Sequence, residues 1–210
     1  MIYNSVIKAE SSTLDAITEA AIVEFSDKGY KSASLRNIVK KAGVTTGAFY
    51  GYYRSKEELF SDIVGKHYDY ILDRFKAAQE EFAAIPEERQ PENLSSISGL
   101  CMFDMLHYAY EHLREFKLIL LKSDGTRFSH LIDEMVEIEL DATYAYMDVL
   151  KELERPAPHI DEHLAHILVT GMFNAFFELV IHEMPMDKAE NYLRELRTFY
   201  TAGWMKIMGQ

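Results

Sequence analysis

Ser34 to Leu59 reads SLRNIVKKAGVTTGAFYGYYRSKEEL, and this stretch decides the fold. Leu35, Ile38, Val39 and Ala42 recur at spacings of three and four, which gives a helix one apolar face. Gly43 follows, the residue type that closes a helix in the left-handed conformation. Val44 anchors the turn. Thr45 then offers a side-chain oxygen to the free backbone N–H groups of a new helix. That helix is short and runs through Thr46, Gly47, Ala48, Phe49, Tyr50, Gly51 and Tyr52. Two helices joined by a tight Gly-containing turn read as a helix-turn-helix. The second helix of such a unit enters the major groove of DNA.

The charge pattern agrees. Lys28 to Lys56 holds seven basic residues, Lys28, Lys31, Arg36, Lys40, Lys41, Arg54 and Lys56, and no Asp or Glu. The whole chain carries a net charge of −12. Residues 1–60 have eight Lys/Arg against seven Asp/Glu, so the remaining residues carry −13. A basic island on an acidic protein is the electrostatic footprint of a nucleic-acid face.

The island resembles the N-terminal DNA-binding domain of the TetR family of bacterial regulators. The residues that carry the resemblance are Gly29-Tyr30, Ser34-x-Arg36-x-Ile38, Ala42-Gly43-Val44-Thr45-x-Gly47, Tyr50-x-Tyr52-Tyr53 and Ser55-Lys56-Glu57-Glu58-Leu59. It is specific over residues 12–64; beyond them it rests on length and helical pattern. Ala33 stands where the family has Thr or Ser, which moves the expected cap of the second helix to Ser32 or Ser34. Gly51 stands where many members carry a polar residue, so one DNA contact is lost. The resemblance implies that Tyr50 and Lys56 touch the DNA backbone. Thr45, Thr46, Gly47 and Phe49 are expected to face the groove, with Arg36 and Tyr53 reaching sugar, phosphate or a base edge.

The 210 residues are 48% apolar, with five Pro and no strand-like alternation, so the chain is expected to be all-helical. Cys101 is the only cysteine, which excludes an intrachain disulfide and fits a reducing cytoplasm. It sits in an apolar run, as a buried inert thiol does. Met1 to Ser12 lacks the apolar core of a secretory signal. The longest uncharged run in the C-terminal half, His163 to Phe177, has 15 residues, short of the roughly 20 needed to span a bilayer. No nucleophile elbow, phosphate-cradling Gly-rich loop or His-Glu-x-x-His motif is present, and the reading is of a protein that is not an enzyme. His159, His163 and His166 have the spacing of a helix face that could hold a metal, but a surface and packing role is the reading taken, and no metal or cofactor is expected.

In chain order, residues 1–11 read as a frayed arm and Ser12 to Asp15 as the cap of a first helix. Its apolar face is Leu14, Ile17, Ala20, Ala21 and Phe25. Gly29 ends it. Ser55 and Glu58 form a capping box, opening a helix through Phe82. At ~1.5 Å per residue it is too long for a small head alone and links head to second domain. Domains are expected at 1–55 and 56–210. Ala84 to Asn93 reads as a loop, followed by helices near 94–121, 126–154, 161–183 and 187–208, the last opened by a capping box at Asp187 and Glu190.

The final two helices are apolar on more than one face. Gly171 and Ala175, with the seam Leu193, Leu196, Tyr200, Gly203 and Ile207, are expected to pair with a second copy. The middle of the second domain is rich in aromatic and adaptable residues. Phe103, His107, Tyr110, Tyr144, Met147 and Phe173 are the candidates for a pocket that takes a small-molecule effector. The expectation is a homodimeric regulator, a repressor that a ligand releases from a double-stranded operator. The alternative is a scaffold whose second domain binds a protein. A pocket enclosed within one subunit favours the first; a large apolar patch away from the dimer face favours the second.

Overall fold

The computed structural model of the chain describes residues 2–209, with side chains for 13–93 and 99–209. The described residues form nine α-helices and two short 3-10 turns, with no strand. In chain order the helices are α1 (Ile2–Ser32), α2 (Leu35–Lys41), α3 (Thr46–Tyr52), α4 (Lys56–Ala83), α5 (Gln90–Glu111), α6 (Leu113–Lys122), α7 (Leu131–Glu152), α8 (Glu162–Ile181) and α9 (Met186–Ile207).

The chain divides into two compact units. The first comprises residues 1–68 with 114–129, the second 69–113 with 130–210. The expected boundary at 55/56 does not coincide with this division: the opening turns of α4 and nearly all of α6 pack with the helix-turn-helix.

Within the first unit, α1 buries Ile17, Ala21 and Phe25 completely. Phe25 meets Phe60 of α4 edge to face at 4.9 Å, and Phe60 meets Phe128 at 5.8 Å. Such aromatic contacts add to the burial of the rings themselves. The helix is continuous through the segment expected as an arm and through Ser12 to Asp15, so no cap forms there. It breaks at Gly29, whose φ of 72° is left-handed.

The turn between α2 and α3 forms as its residues dictate. Gly43 has φ +69°. Its N–H donates to Lys40 and that of Val44 to Val39, the paired bonds of a Schellman closure. Thr45 then accepts the Ala48 N–H at 3.1 Å. Ser55 and Glu58 cap α4: the Ser55 hydroxyl accepts the Glu58 N–H at 3.0 Å, and the Glu58 carboxylate accepts the Arg54 N–H.

Beyond α4 the expected helix over 94–121 is two helices, broken at His112, whose φ of −126° and ψ of 41° leave the helical region. Helix α5 begins at Gln90, inside the expected loop, because Pro91 fits a helix's first turn where no donor is needed. A 3-10 turn at Arg127–His130 precedes α7. The expected capping box at Asp187 and Glu190 does not form, because Glu190 is drawn instead to His107 at 2.8 Å and Arg194 at 3.1 Å. Helix α8 is apolar and long enough to cross a membrane, yet Ala165, Val169, Phe173, Phe176, Phe177, Leu179 and Val180 are buried in its own unit. Its hydrophobicity is that of a core helix.

Candidate nucleic-acid interface and ligand cavity

Helix α3 presents Thr46, Gly47, Ala48, Tyr50 and Gly51 to solvent, beside exposed Thr45. None is charged. Thr46 stands first on this face and is exposed. A Cβ at Gly51 would meet nothing within 4 Å, and one at Gly47 only the Thr45 hydroxyl at 3.9 Å. Phe49 and Tyr53 depart from their expected roles. Phe49 is fully buried and stacks near Tyr53, filling the head's core. Tyr53 is 5% exposed, and its hydroxyl donates to Asp62 at 2.7 Å. Burial, then that hydrogen bond, push its pKa to about 12. Neither ring reaches the surface that α3 offers.

Cations flank this face. Lys28 pairs with Asp27 at 3.0 Å, Lys31 with Asp124 at 2.7 Å and Lys41 with Glu24 at 3.4 Å. Arg36, Lys40 and Arg54 are exposed and form no ion pair among the described residues. Lys56 faces inward. Its ammonium donates to the carbonyls of Tyr30 at 2.6 Å, Ala33 at 3.1 Å and Lys31 at 3.4 Å. It also lies 4.5 Å over the Tyr30 ring. Burial pulls its pKa down. This lysine closes the carbonyls left open where α1 breaks at Gly29.

Sequence reasoning missed Glu24. Ser34 occupies the cap position of α2 but makes no side-chain cap bond. The Glu24 carboxylate, only 2% exposed, does the work from α1 instead. It accepts the Ser34 N–H at 3.2 Å and the Asn37 amide at 3.0 Å, and pairs with Lys41. The Asn37 hydrogen bond is the main reason its pKa lies below the usual value. The signal was the missing hydroxyl at Ala33: a helix without its own cap takes one from elsewhere.

The second unit holds a partly open cavity of about 130 Å³ between α4, α5, α7, α8 and α9. Phe75, Phe82, Phe173, Phe176 and Trp204 give it aromatic walls, and Gln79, Glu139, Thr143, Arg197 and Tyr200 its polar atoms. Of the expected pocket residues only Phe173 lines it. Phe103 lies beneath the guanidinium groups of Arg194 and Arg197, at 5.4 and 5.8 Å. His107 is bound to Glu190. The Tyr110 hydroxyl donates to the carbonyls of Leu179 and Met184, both at 2.8 Å, closing the end of α8. Met147 is core, and Tyr144 packs against the same cluster. These side chains lie on the right helices and the wrong faces. Cys101 also borders the cavity; burial raises its thiol to about 11, so it stays protonated.

The seam expected between two copies is divided. Leu193 is fully buried, and Leu193, Leu196 and Tyr200 line the cavity. Ala175 and Ile207 are half-buried. Gly171 and Gly203 are exposed. The apolar side chains that do face outward are Leu164 and Ile167 of α8, 46% and 64% exposed, and Tyr192 and Phe199 of α9, 50% and 72% exposed.

An uncharged, exposed helix flanked by cations that form no ion pair among the described residues, on a chain that also carries a cavity-bearing helical unit, is the arrangement of a helix-turn-helix head followed by a second helical domain. Residues 17–63 match the family model described as bacterial regulatory proteins, tetR family. The chain is 24% identical over 144 residues to the HTH-type transcriptional repressor KstR2 of Mycolicibacterium smegmatis, covering 68% of this chain and 65% of that one. It is 26% identical over 193 residues to the HTH-type transcriptional repressor BepR of Brucella suis, covering 83% and 88%. Its fold is similar to that of the transcriptional regulator FadR from Bacillus subtilis in complex with stearoyl-CoA, with a TM-score of 0.54 and 14% identity over 90% of this chain and 97% of that one. Residues 17–63 thus form a DNA-binding segment of the kind that the tetR family model describes.

Proposed function

We propose that the protein is a cytoplasmic repressor that binds a near-palindromic operator as a twofold dimer and leaves it when a small molecule fills the cavity. The observation that carries this reading is the coexistence, in one chain, of an exposed helix in the second position of a helix-turn-helix and a largely apolar, partly open cavity. Helix α4 belongs to both units. Phe75, Ala78, Gln79 and Phe82 near its end line the cavity, and Lys56 at its start holds the end of α1. A ligand that favours one placement of α4 biases the head, and a coupling of about 1–3 kcal/mol suffices for a five- to 150-fold change in affinity. The exposed apolar faces of α8 and α9 are the surface for the second copy. KstR2 and BepR are named as repressors, and the FadR structure holds an acyl-CoA, which accords with a ligand in this domain.

Arg36, Lys40 and Arg54 would meet phosphates, fixing the head on the duplex. Thr46 would meet a base edge or a thymine methyl. With so few long polar side chains on α3, discrimination rests largely on DNA shape and half-site spacing. The test is to select a duplex from a random pool and titrate it. Thr46→Ala costs about 1 kcal/mol on that duplex. Inserting half a helical turn between the half-sites costs far more. If the insertion is tolerated while Thr46→Ala abolishes binding, direct base reading by independent heads replaces this account.

A further inference from the structure

The cavity carries an unanswered polar strip. Glu139, Thr143 and Tyr146 are spaced by four and three along α7 and so share one face of that helix, and all three line the cavity. The Gln79 amide of α4 donates to Glu139 Oε2 at 2.8 Å. That is the only hydrogen bond or ion pair Glu139 makes among the described residues. Tyr146 is 4% exposed, and its hydroxyl is buried with no hydrogen-bond partner. Two polar groups in an apolar chamber are therefore under-satisfied at the same wall.

A carboxylate in such a place is costly unless paired. Glu139 is half-buried, on the wall of the cavity. Burial raises its pKa to about 7, with the Gln79 hydrogen bond opposing. The cation among the lining residues is Arg197, but its guanidinium is placed against α5: a Cβ on Gly99 would collide with it, and it sits 5.8 Å over the Phe103 ring. Aromatic rings make up much of the remaining wall, and their faces attract a cation brought near them.

We propose that the cavity is built for a lipophilic ammonium: an apolar body against the aromatic walls, with its charged nitrogen donating to Glu139 and its remaining polarity met by the Tyr146 hydroxyl. The inference rests on the reading of this cavity as the effector site and names the chemical class that fits it. An N–H donor supplies what the free Glu139 oxygen lacks. A carboxylate ligand would set a second anion beside the first, and would have to turn toward Arg197. The net charge of −13 beyond residue 60 favours approach of a cation over an anion.

The head group is tested with three probes of one chain length: octylamine, 1-octanol and octanoate, titrated into the full-length protein at neutral pH. Trp204, the only tryptophan in the sequence, lines the cavity, and its fluorescence reports occupancy. Octylamine is expected to bind the wild type about tenfold or more tighter than octanoate, the scale of one charge-assisted hydrogen bond. Glu139→Gln keeps the side chain's shape and removes its charge. It is expected to erase the amine preference while leaving octanol within about twofold, since the apolar contacts remain. Glu139→Asp should retain part of the preference. Octanoate binding more tightly than octylamine overturns the proposal. So do equal affinities for all three probes, no binding by any, or an amine preference that survives Glu139→Gln. DNA release is measured separately by gel shift on the selected duplex. An amine that binds through Glu139 but releases no DNA supports the ligand class and defeats the effector reading. Release by probes irrespective of head group defeats the ligand class and keeps the effector reading.

Discussion

Two glutamates, one buried and one half-buried on the cavity wall, behave in opposite ways. Glu24 is fully answered: a backbone N–H, an amide and an ammonium all converge on it. Glu24→Ala leaves these donors facing a void and should cost about 2–4 kcal/mol, read as a lower urea midpoint with an unchanged slope. Glu139 has one donor, and its folded pKa of about 7 lies above its ordinary value of 4.5. Between those two values the unfolded chain has lost a proton that the folded chain keeps. Folding stability from this group is therefore present at low pH, falls as pH rises through the window, and is flat above it. Glu139→Gln should exceed the wild type in stability at pH 8 by on the order of 2–3 kcal/mol, the gap shrinking toward pH 5. Thermal melts across that range check it; a gap independent of pH would mean that the carboxyl is not strained by burial.

Among the elements, the proposed function gives base reading to α3 and phosphate anchoring to the cations that flank it. Arg36 and Arg54 are exposed and form no ion pair among the described residues, so Arg36→Ala and Arg54→Ala should each lower the salt slope of DNA binding by about 0.9 per subunit. Lys56 holds the end of α1, so Lys56→Ala should lower thermal stability and leave the slope nearly intact. A slope that drops for Lys56→Ala would show that the ammonium swings out to a phosphate. The turn chemistry behind this geometry was legible in the sequence, because Gly43, Thr45, Ser55 and Glu58 act on neighbours within a few residues. The roles of Phe49 and Tyr53 were not. On a helix of two turns the spacing says which residues share a face, but not which face the preceding helices cover. The pocket failed for the same reason: Tyr110 and Met147 sit on the expected helices, yet only packing between helices distant in sequence decides which side looks into a void. Glu139 was unreadable because a glutamate on a helix is ordinarily solvated.

For the whole molecule, the divided seam changes which residues probe self-association. Spacings of three and four mark a buried stripe without saying whether it is buried by the same chain or another. Leu193 is buried by its own unit, so altering it tests folding. Gly203 and Phe199 are the cleaner probes. A side chain added at Gly203 meets nothing within 4 Å, and Phe199 is 72% exposed. Gly203→Trp and Phe199→Glu should leave the melting temperature of the subunit nearly unchanged and shift sedimentation at micromolar concentration from dimer toward monomer. A wild type that already sediments as a monomer would remove the dimer from the mechanism.

The small residues on α3 also bear on how such a regulator acquires a new target. Ala48 and Gly51 face outward, and the space beyond Gly51 is open. Replacing a helical glycine gains up to about 1 kcal/mol of helix propensity, so a glutamine or arginine there brings no folding penalty to set against a new base contact. Specificity in this head is thus close to a blank page. A single codon change can add a preference before any existing one is given up, which is the order of events that lets a duplicated copy drift to a second promoter without an inactive intermediate.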